Sequence, residues 1–425
     1  MFLVYKFLTI LFYPLLLLII YCRKFIKKED KVRFKEKIFS SHFKPQKTKG
    51  TFLIWMHGAS IGEITSIIPI IKELKSLRKK INFLITTTTI SSGTLIEKYF
   101  SEDKNIVHRY FPIDTPHLSK KFINSWMPNL ACFVDSEIWP NFINQLTKNK
   151  IPLILVNGRI TEKTFKRWSI FKGLAEKIFS SFDICLASNK KSLIYLQNLK
   201  AKNVKYFGNL KFITDANSSS SLNDINKIFL DKHKVWCAAS THNNEEEFCV
   251  KAHQEIKKVH NNIVTIIIPR HISRIDKIYK KLKRLNIKIQ ILNDNEVIKS
   301  DTEILLINSF GKLTQYFKYC KSVFIGKSTL KKLISVGGQN PIEAARFGCK
   351  IYHGPYVSNF DEVYEFLNKI NVAEKIDNFK EISLKIIDDL NNPKIVDENK
   401  VKKIDNYGAE VLKKTVDEFS KIILR

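Results

Sequence analysis

Residues 51–77 read TFLIWMHGASIGEITSIIPIIKELKSL, and this stretch decides the fold. Thr51–His57 is an almost wholly apolar run of strand length, the pattern of a strand covered on both faces. Gly58-Ala59-Ser60 then supplies a turn of small residues, and from Glu63 to Leu77 apolar residues recur at helical spacing. Strand, small turn and helix form the first part of a βαβ unit, and the unit repeats. Further strands are expected at Asn82–Thr87, Ile106–Phe111, Ala131–Asp135, Pro152–Asn157 and Asp183–Ala187, with helices between them such as Ser91–Phe100. Residues 51–212 therefore read as a Rossmann-like α/β domain with a parallel sheet.

The pattern breaks at ITDANSSSSLNDIN, a polar stretch that reads as a linker over 213–230. A second series follows at Val235–Ala239, Ile263–Ile268, Ile287–Ile291, Ile304–Ile307, Ser322–Ile325 and Lys350–His353, giving a second Rossmann-like domain over 231–395. Two doubly wound halves are expected to form a clamp with its ligands in the cleft. Residues 396–425, with a helical pattern from Asn399 to Leu424, are expected to pack back across the junction.

The whole chain has 425 residues, 44% of them hydrophobic, which suits two folded domains and excludes a disordered or collagenous protein. Lys and Arg number 71 against 41 Asp and Glu, a net charge of +30 that favours an anionic partner: nucleic acid, a membrane surface or a phosphorylated substrate. Lysine outnumbers arginine roughly five to one, a bias that AT-rich coding alone produces, so charge does not choose among them. No RNP-type motif or helix-turn-helix is present, which speaks against nucleic acid. The 7 cysteines are scattered without Cys-x-x-Cys, so neither a disulfide framework nor a zinc site is indicated.

Residues 1–22 carry the run FLVYKFLTILFYPLLLLIIYC, whose only charge is Lys6, followed over 23–50 by a basic juxtamembrane segment. A signal peptide carries its charge before the apolar run and small residues after it, whereas here Tyr21-Cys22 ends the run and the positive charge follows. The expectation is an uncleaved N-terminal anchor, with the remaining domains on the cytoplasmic face of the membrane and the basic segment on its anionic leaflet. Pro14 leaves both a crossing and an embedded helix open.

Chemistry-bearing residues gather where strands end. Glu63 follows the first strand in the first turn of its helix, a position that serves equally for a helix-dipole carboxylate and for a group facing a ligand. Asp135-Ser136-Glu137 and Asn157-Gly158-Arg159 end later strands, and for Glu137 capping and function are both open. Lys211, in Gly208-Asn209-Leu210-Lys211, is placed to point into the cleft. In the second half, Ser240-Thr241-His242 precedes a helix opening on Glu245, Pro269-Arg270-His271 ends a strand, and Gly337-Gly338-Gln339-Asn340-Pro341-Ile342-Glu343 is a glycine turn entering a helix. Gly326-Lys327-Ser328 resembles the tail of a P-loop, but Lys321 stands where the first glycine is required, which excludes one.

The ordered set HGASIGE (57–63), ITTTTISSG (85–93), FPIDTP (111–116), DSEIWPN (135–141), NGRIT (157–161), GNLKF (208–212), AASTHNNEEE (238–247), PRH (269–271), GGQNPIEAA (337–345) and GPYVSNF (354–360) resembles the Kdo transferases, which add 3-deoxy-D-manno-octulosonic acid to lipid A precursors in lipopolysaccharide biosynthesis. With the anchor, the likeness covers roughly residues 1–365. It implies a GT-B fold and an inverting, metal-independent glycosyltransferase without a cofactor, whose donor is CMP-Kdo and whose acceptor is lipid IVA. By the same resemblance Glu63 is the general base, Glu137 and Lys211 assist in the transition state, and CMP is held by Pro269, Arg270, the Phe310-Gly311-Lys312 turn, and Asn340, Pro341, Ile342 and Glu343. The chain departs from the family at Asn308-Ser309-Phe310-Gly311-Lys312-Leu313, usually Asp-Thr-Met-Gly-Glu-Leu, at Lys327, usually glycine, and at Gln339, usually histidine. The alternative is another GT-B nucleotide-sugar transferase acting on a lipid-linked acceptor.

Overall fold

The structure, a computed structural model, describes residues 1–45, 50–77, 80–213, 222–309, 311–334 and 336–424. The chain forms two compact units, Met1–Ile213 with Gly408–Arg425, and Thr214–Tyr407. Residues 214–221 of the expected linker, and Phe310, lie outside the described residues.

In the first unit the strands are β1 (Phe52–His57), β2 (Ile81–Thr87), β3 (Ile106–Tyr110), β4 (Leu130–Val134), β5 (Leu153–Gly158), β6 (Ile184–Ala187) and β7 (Val204–Lys205). They form one parallel sheet in the order β3-β2-β1-β4-β5-β6-β7. The first strand is central, and the chain winds outward from it first on one side and then on the other. The order reverses between β1 and β4, where the loops following those strands diverge and leave a crevice. β1 is held in register by Trp55 opposite Leu84 and His57 opposite Thr86. Trp55 is fully buried among Phe111, Phe122, Phe133 and Phe142, and its indole N–H is satisfied by Thr86 Oγ1 at 2.9 Å.

The second unit repeats the plan with β8 (Lys234–Thr241), β9 (Ile263–Pro269), β10 (Ile289–Leu292), β11 (Ile304–Ile307), β12 (Ser322–Ile325), β13 (Lys350–His353) and β14 (Ala373–Lys375). The order β10-β11-β9-β8-β12-β13-β14 puts its reversal between β8 and β12.

Two sequence expectations need correction. The polar run after residue 213 is not linker as far as residue 230. Asn223 caps a helix over Asp224–Asp231 by accepting from Asn226 N at 2.8 Å, and Asn226 then bonds Glu296 O and Ile298 N. Nor is 23–50 merely a charged collar. Phe34, Ile38 and Phe43 are buried in the first unit, the buried Lys37 pairs with Glu29 and donates to Thr88 O, and Glu36 accepts from Tyr110 N at 2.7 Å.

The N-terminal run forms helices Phe2–Leu11 and Tyr13–Phe25, bent by 52° to each other. Among the described residues no single helix is long and apolar enough to cross a membrane, although this pair together has the length and composition. One side is tied to the first unit, with Tyr5 donating to Asp114 and Tyr13 to Ile38 O at 2.8 Å. The other side exposes Leu3, Phe7, Ile10, Leu11, Leu15 and Leu18.

Candidate active site

The crevice between β1 and β4 gathers the polar groups of the first unit. His57 ends β1 with no exposed surface, its ring stacked on Phe111 at 3.8 Å. Its Nε2 lies 3.0 Å from Glu137 Oε2, and its Nδ1 3.0 Å from Thr86 Oγ1. The same Nδ1 lies 3.1 Å from Thr86 O, and Nε2–H faces the carboxylate and donates to it. Trp139 Nε1–H donates to the same Glu137 oxygen at 2.8 Å. Burial alone would raise the Glu137 carboxyl, but His57 and Trp139 outweigh it and hold it below the usual carboxylate range.

Glu63 stands in the first turn of helix Ile61–Leu77. Its Oε2 accepts from Ala59 N at 2.6 Å and Ser60 N at 3.4 Å, and Ser60 Oγ donates to Oε1 at 2.8 Å while itself accepting from Glu63 N. This is a capping box, so the carboxylate does cap its helix. Burial, and the negative charges of Glu137 and Asp135 nearby, nevertheless raise its pKa above the ordinary value against those hydrogen bonds. A carboxylate raised in this way is better matched to taking up a proton near neutrality.

Lys211 completes the group. Asn157, one residue before the end of β5 and at a φ of 53°, accepts from Leu210 N at 3.3 Å and so holds the 208–211 turn, and Asn209 accepts from Lys211 N. The ammonium lies 3.9 Å from Asp135 Oδ2. Burial lowers its pKa most, Arg159 adds to this, and Asp135 and Glu63 oppose it. Asp135 also has a left-handed backbone, φ 58°, a strained conformation of the kind that functional loops retain.

Sequence reasoning singled out Glu63, Glu137 and Lys211 and placed Asp135 among the polar groups at a strand end, but gave no role to His57 or Trp139. A histidine closing an otherwise apolar strand was the available signal for the first. The cap of helix Pro140–Lys148 comes from elsewhere in the chain. Neither Asp135 nor Ser136 supplies it, because both stay in the turn before the helix. Asp114 reaches in from the FPIDTP loop and accepts from Asn141 N at 3.1 Å and Phe142 N at 3.0 Å.

In the second unit Arg270 is exposed at the end of β9 and lines an open hollow of about 610 Å³ with His271, Ile272, Ser273, Ile275, Asp276 and Asn308. Burial lowers the pKa of His271, and the charges of Arg270, Arg274 and Lys327 lower it further, as expected of a ring in a cationic neighbourhood open to an anion. Gly311, at φ 75°, turns the chain into Lys312, whose ammonium is held by Asp294 Oδ1 at 2.5 Å. The Gly337-Gly338 turn that leads to Asn340, Pro341, Ile342 and Glu343 is fixed against the loop after β12, Gly338 N donating to Lys327 O at 2.7 Å. A Cβ at Gly337 would stand 2.1 Å from Tyr356 O, so only glycine fits there. Asn340 caps the short helix by accepting from Ile342 N, and burial raises the Glu343 carboxyl.

The P-loop-like tail is also accounted for. The backbone N–H groups of Lys327, Ser328 and Thr329 converge on the Glu245 carboxylate at 2.6, 2.9 and 3.1 Å, so the chain's own side chain occupies that nest. Among the described residues no group of three His, Cys, Asp or Glu side chains is placed to hold a metal ion.

Solved structures share this two-unit architecture. A glycosyltransferase from Rickettsia africae matches over 88% of this chain and 99% of its own, with a TM-score of 0.59 at 10% identity. HepE from Anabaena in complex with UDP covers 87% of this chain and 100% of its own, with a TM-score of 0.59 at 12% identity. A UDP-N-acetylglucosamine 2-epimerase also matches, with a TM-score of 0.56 at 12% identity, so the architecture is that of the GT-B glycosyltransferases and the epimerases that share it. Sequence separates them. Residues 32–214 match the family model for 3-deoxy-D-manno-octulosonic-acid transferase. A probable mitochondrial 3-deoxy-D-manno-octulosonic acid transferase of Arabidopsis thaliana is 30% identical over 84% of this chain and 81% of its own length, and the transferase of Rickettsia bellii is 29% identical over 99% and 98%. The chain belongs to the Kdo transferase family: it is a glycosyltransferase that transfers Kdo in lipopolysaccharide synthesis.

Proposed function

We propose that the donor is CMP-Kdo, that the acceptor is the lipid A precursor lipid IVA, and that transfer inverts the anomeric centre without a metal. The observation that carries this reading is the Glu63, Glu137 and Lys211 group at the reversal point of the first sheet, with Glu63 shifted toward a base. An acceptor hydroxyl attacks the anomeric carbon, the bond from that carbon to the phosphate oxygen breaks, CMP leaves with the electron pair, and the proton passes to Glu63. Glu137, kept anionic by His57 and Trp139, stabilises positive charge developing on the sugar, and Lys211 holds anionic groups of the reactants. Incubating the enzyme with CMP-Kdo or UDP-sugars and a tetraacyl disaccharide bisphosphate acceptor, followed by mass spectrometry, tests the reading. A mass increase of one or more Kdo units with CMP-Kdo alone is expected, and no Kdo transfer to any acceptor would overturn it.

On the second unit the Arg270 guanidinium and its cationic neighbours suit the phosphate of the donor, and the glycine turn before Asn340 suits its nucleoside. Arg270→Ala should weaken donor affinity by about 2 kcal/mol, roughly thirtyfold. Titration with CMP checks this, and unchanged affinity would remove the phosphate contact. Because Lys312 is engaged by Asp294, its turn contributes backbone rather than a free ammonium to the donor.

We further propose that the enzyme works at the cytoplasmic face of the inner membrane, with the exposed apolar side of its N-terminal helix pair in the lipid and Arg23 and Lys24 toward anionic headgroups; that exposed side supports the reading. The full chain is expected to float with phosphatidylglycerol-containing vesicles and to stay bound in high salt. Release by salt alone would exclude apolar insertion.

A further inference from the structure

The first helix, Phe2–Leu11, is apolar except for Tyr5, Lys6 and Thr9. Tyr5 and Thr9 are four residues apart and so share one face. That face is turned to the protein. Tyr5 Oη–H donates to Asp114 Oδ2 at 2.7 Å, and Thr9 Oγ1 accepts from Asn141 Nδ2 at 3.3 Å. Asp114 and Asn141 are 5% and 1% exposed, so both hydroxyls reach into the interior. They are also bonded to each other, Asn141 Nδ2 donating to Asp114 O at 2.8 Å.

This pair sits against the candidate active site from two directions. Asp114 receives the first free N–H groups of helix Pro140–Lys148, and the residue before that helix is Trp139, whose indole holds Glu137. Three residues before Asp114, on the same loop, Phe111 stacks on His57, the other partner of Glu137.

We propose that Tyr5 and Thr9 are positioning residues for the transfer reaction: by fixing Asp114 and Asn141 they set the start of helix 140–148, and with it Trp139 and Glu137. The inference rests on the reading of Glu137 as a participant in transfer. The membrane-facing helix is then part of the enzyme's working geometry as well as its attachment.

The test uses the full-length enzyme in phospholipid vesicles. Tyr5→Phe removes one hydroxyl and keeps the ring, Thr9→Val removes the second, and Glu137→Gln is run alongside. Vesicle flotation and KM for the donor are expected to stay at wild-type values in Tyr5→Phe, while kcat falls about tenfold, as for a catalytic group displaced by a fraction of an ångström. Thr9→Val should lower kcat in the same direction. Wild-type kcat in both variants, with only a lower melting temperature, would make the contacts purely structural and overturn the proposal. Loss of flotation in Tyr5→Phe would assign the effect to attachment and overturn it too. Near-wild-type kcat in Glu137→Gln would instead overturn the reading on which the proposal rests.

Discussion

Glu63→Gln is expected to lower the rate of transfer by about a thousandfold while leaving donor affinity and fold intact. The amide carbonyl still accepts from Ala59 N and Ser60 N, so the capping box survives and the melting temperature should hold within the effect of one weakened cap, about 1 kcal/mol. What is lost is the capacity to take a proton. The pH profile gives a second readout. Glu63 must be ionised to act, and its pKa lies above the ordinary carboxylate value, so the wild-type rate falls as pH drops through that raised pKa. The residual rate of the amide variant should lack this limb. More than about a tenth of the wild-type rate in the variant would remove Glu63 as base.

Glu137→Gln is expected to cost about a hundredfold in kcat. His57 Nε2–H and Trp139 Nε1–H both donate to one oxygen, and a glutamine carbonyl can take both, so the local geometry persists while the charge disappears. The charge acts on Glu63 as well. Glu137 is among the groups that raise the Glu63 pKa, so removing its charge lowers that pKa and moves the acid limb of the remaining activity to lower pH. A limb that stays in place, or moves to higher pH, would separate the two carboxylates and undo the assignment of a shared site.

Most strands were legible because they are buried on both faces, which leaves short, nearly pure apolar runs such as Leu130–Val134 and Ile304–Ile307. The last strand of each sheet in chain order was not. Val204–Lys205 and Ala373–Lys375 are two and three residues long at a sheet edge, too short for any periodicity. At the site, motif position identified Glu63, Glu137 and Lys211, but the His57–Glu137 bond joins residues 80 apart in sequence, and only the placement of β1 beside β4 creates it. The same holds for Asp114, whose capping partner is a helix that starts 26 residues later in the chain. Local spacing carries no trace of contacts made by sheet order. In residues 23–50 the signal was present but outweighed, since Phe34 and Ile38 sit four apart among the lysines that draw the eye.

That folded segment belongs to the catalytic unit and leaves no clean seam at which to free it from the membrane helices. Glu29, Glu36 and Lys37 bond Arg23, Tyr110 N and Thr88 O respectively, while Phe34 and Ile38 pack with Ile20. A shortened, water-soluble version that starts near residue 50, where the basic stretch ends, would strip a piece of the catalytic domain and bare the edge beside β3. Even a cut before Arg23 removes Ile20 from beside Phe34 and Ile38, and takes with it the Tyr5 and Thr9 contacts to Asp114 and Asn141.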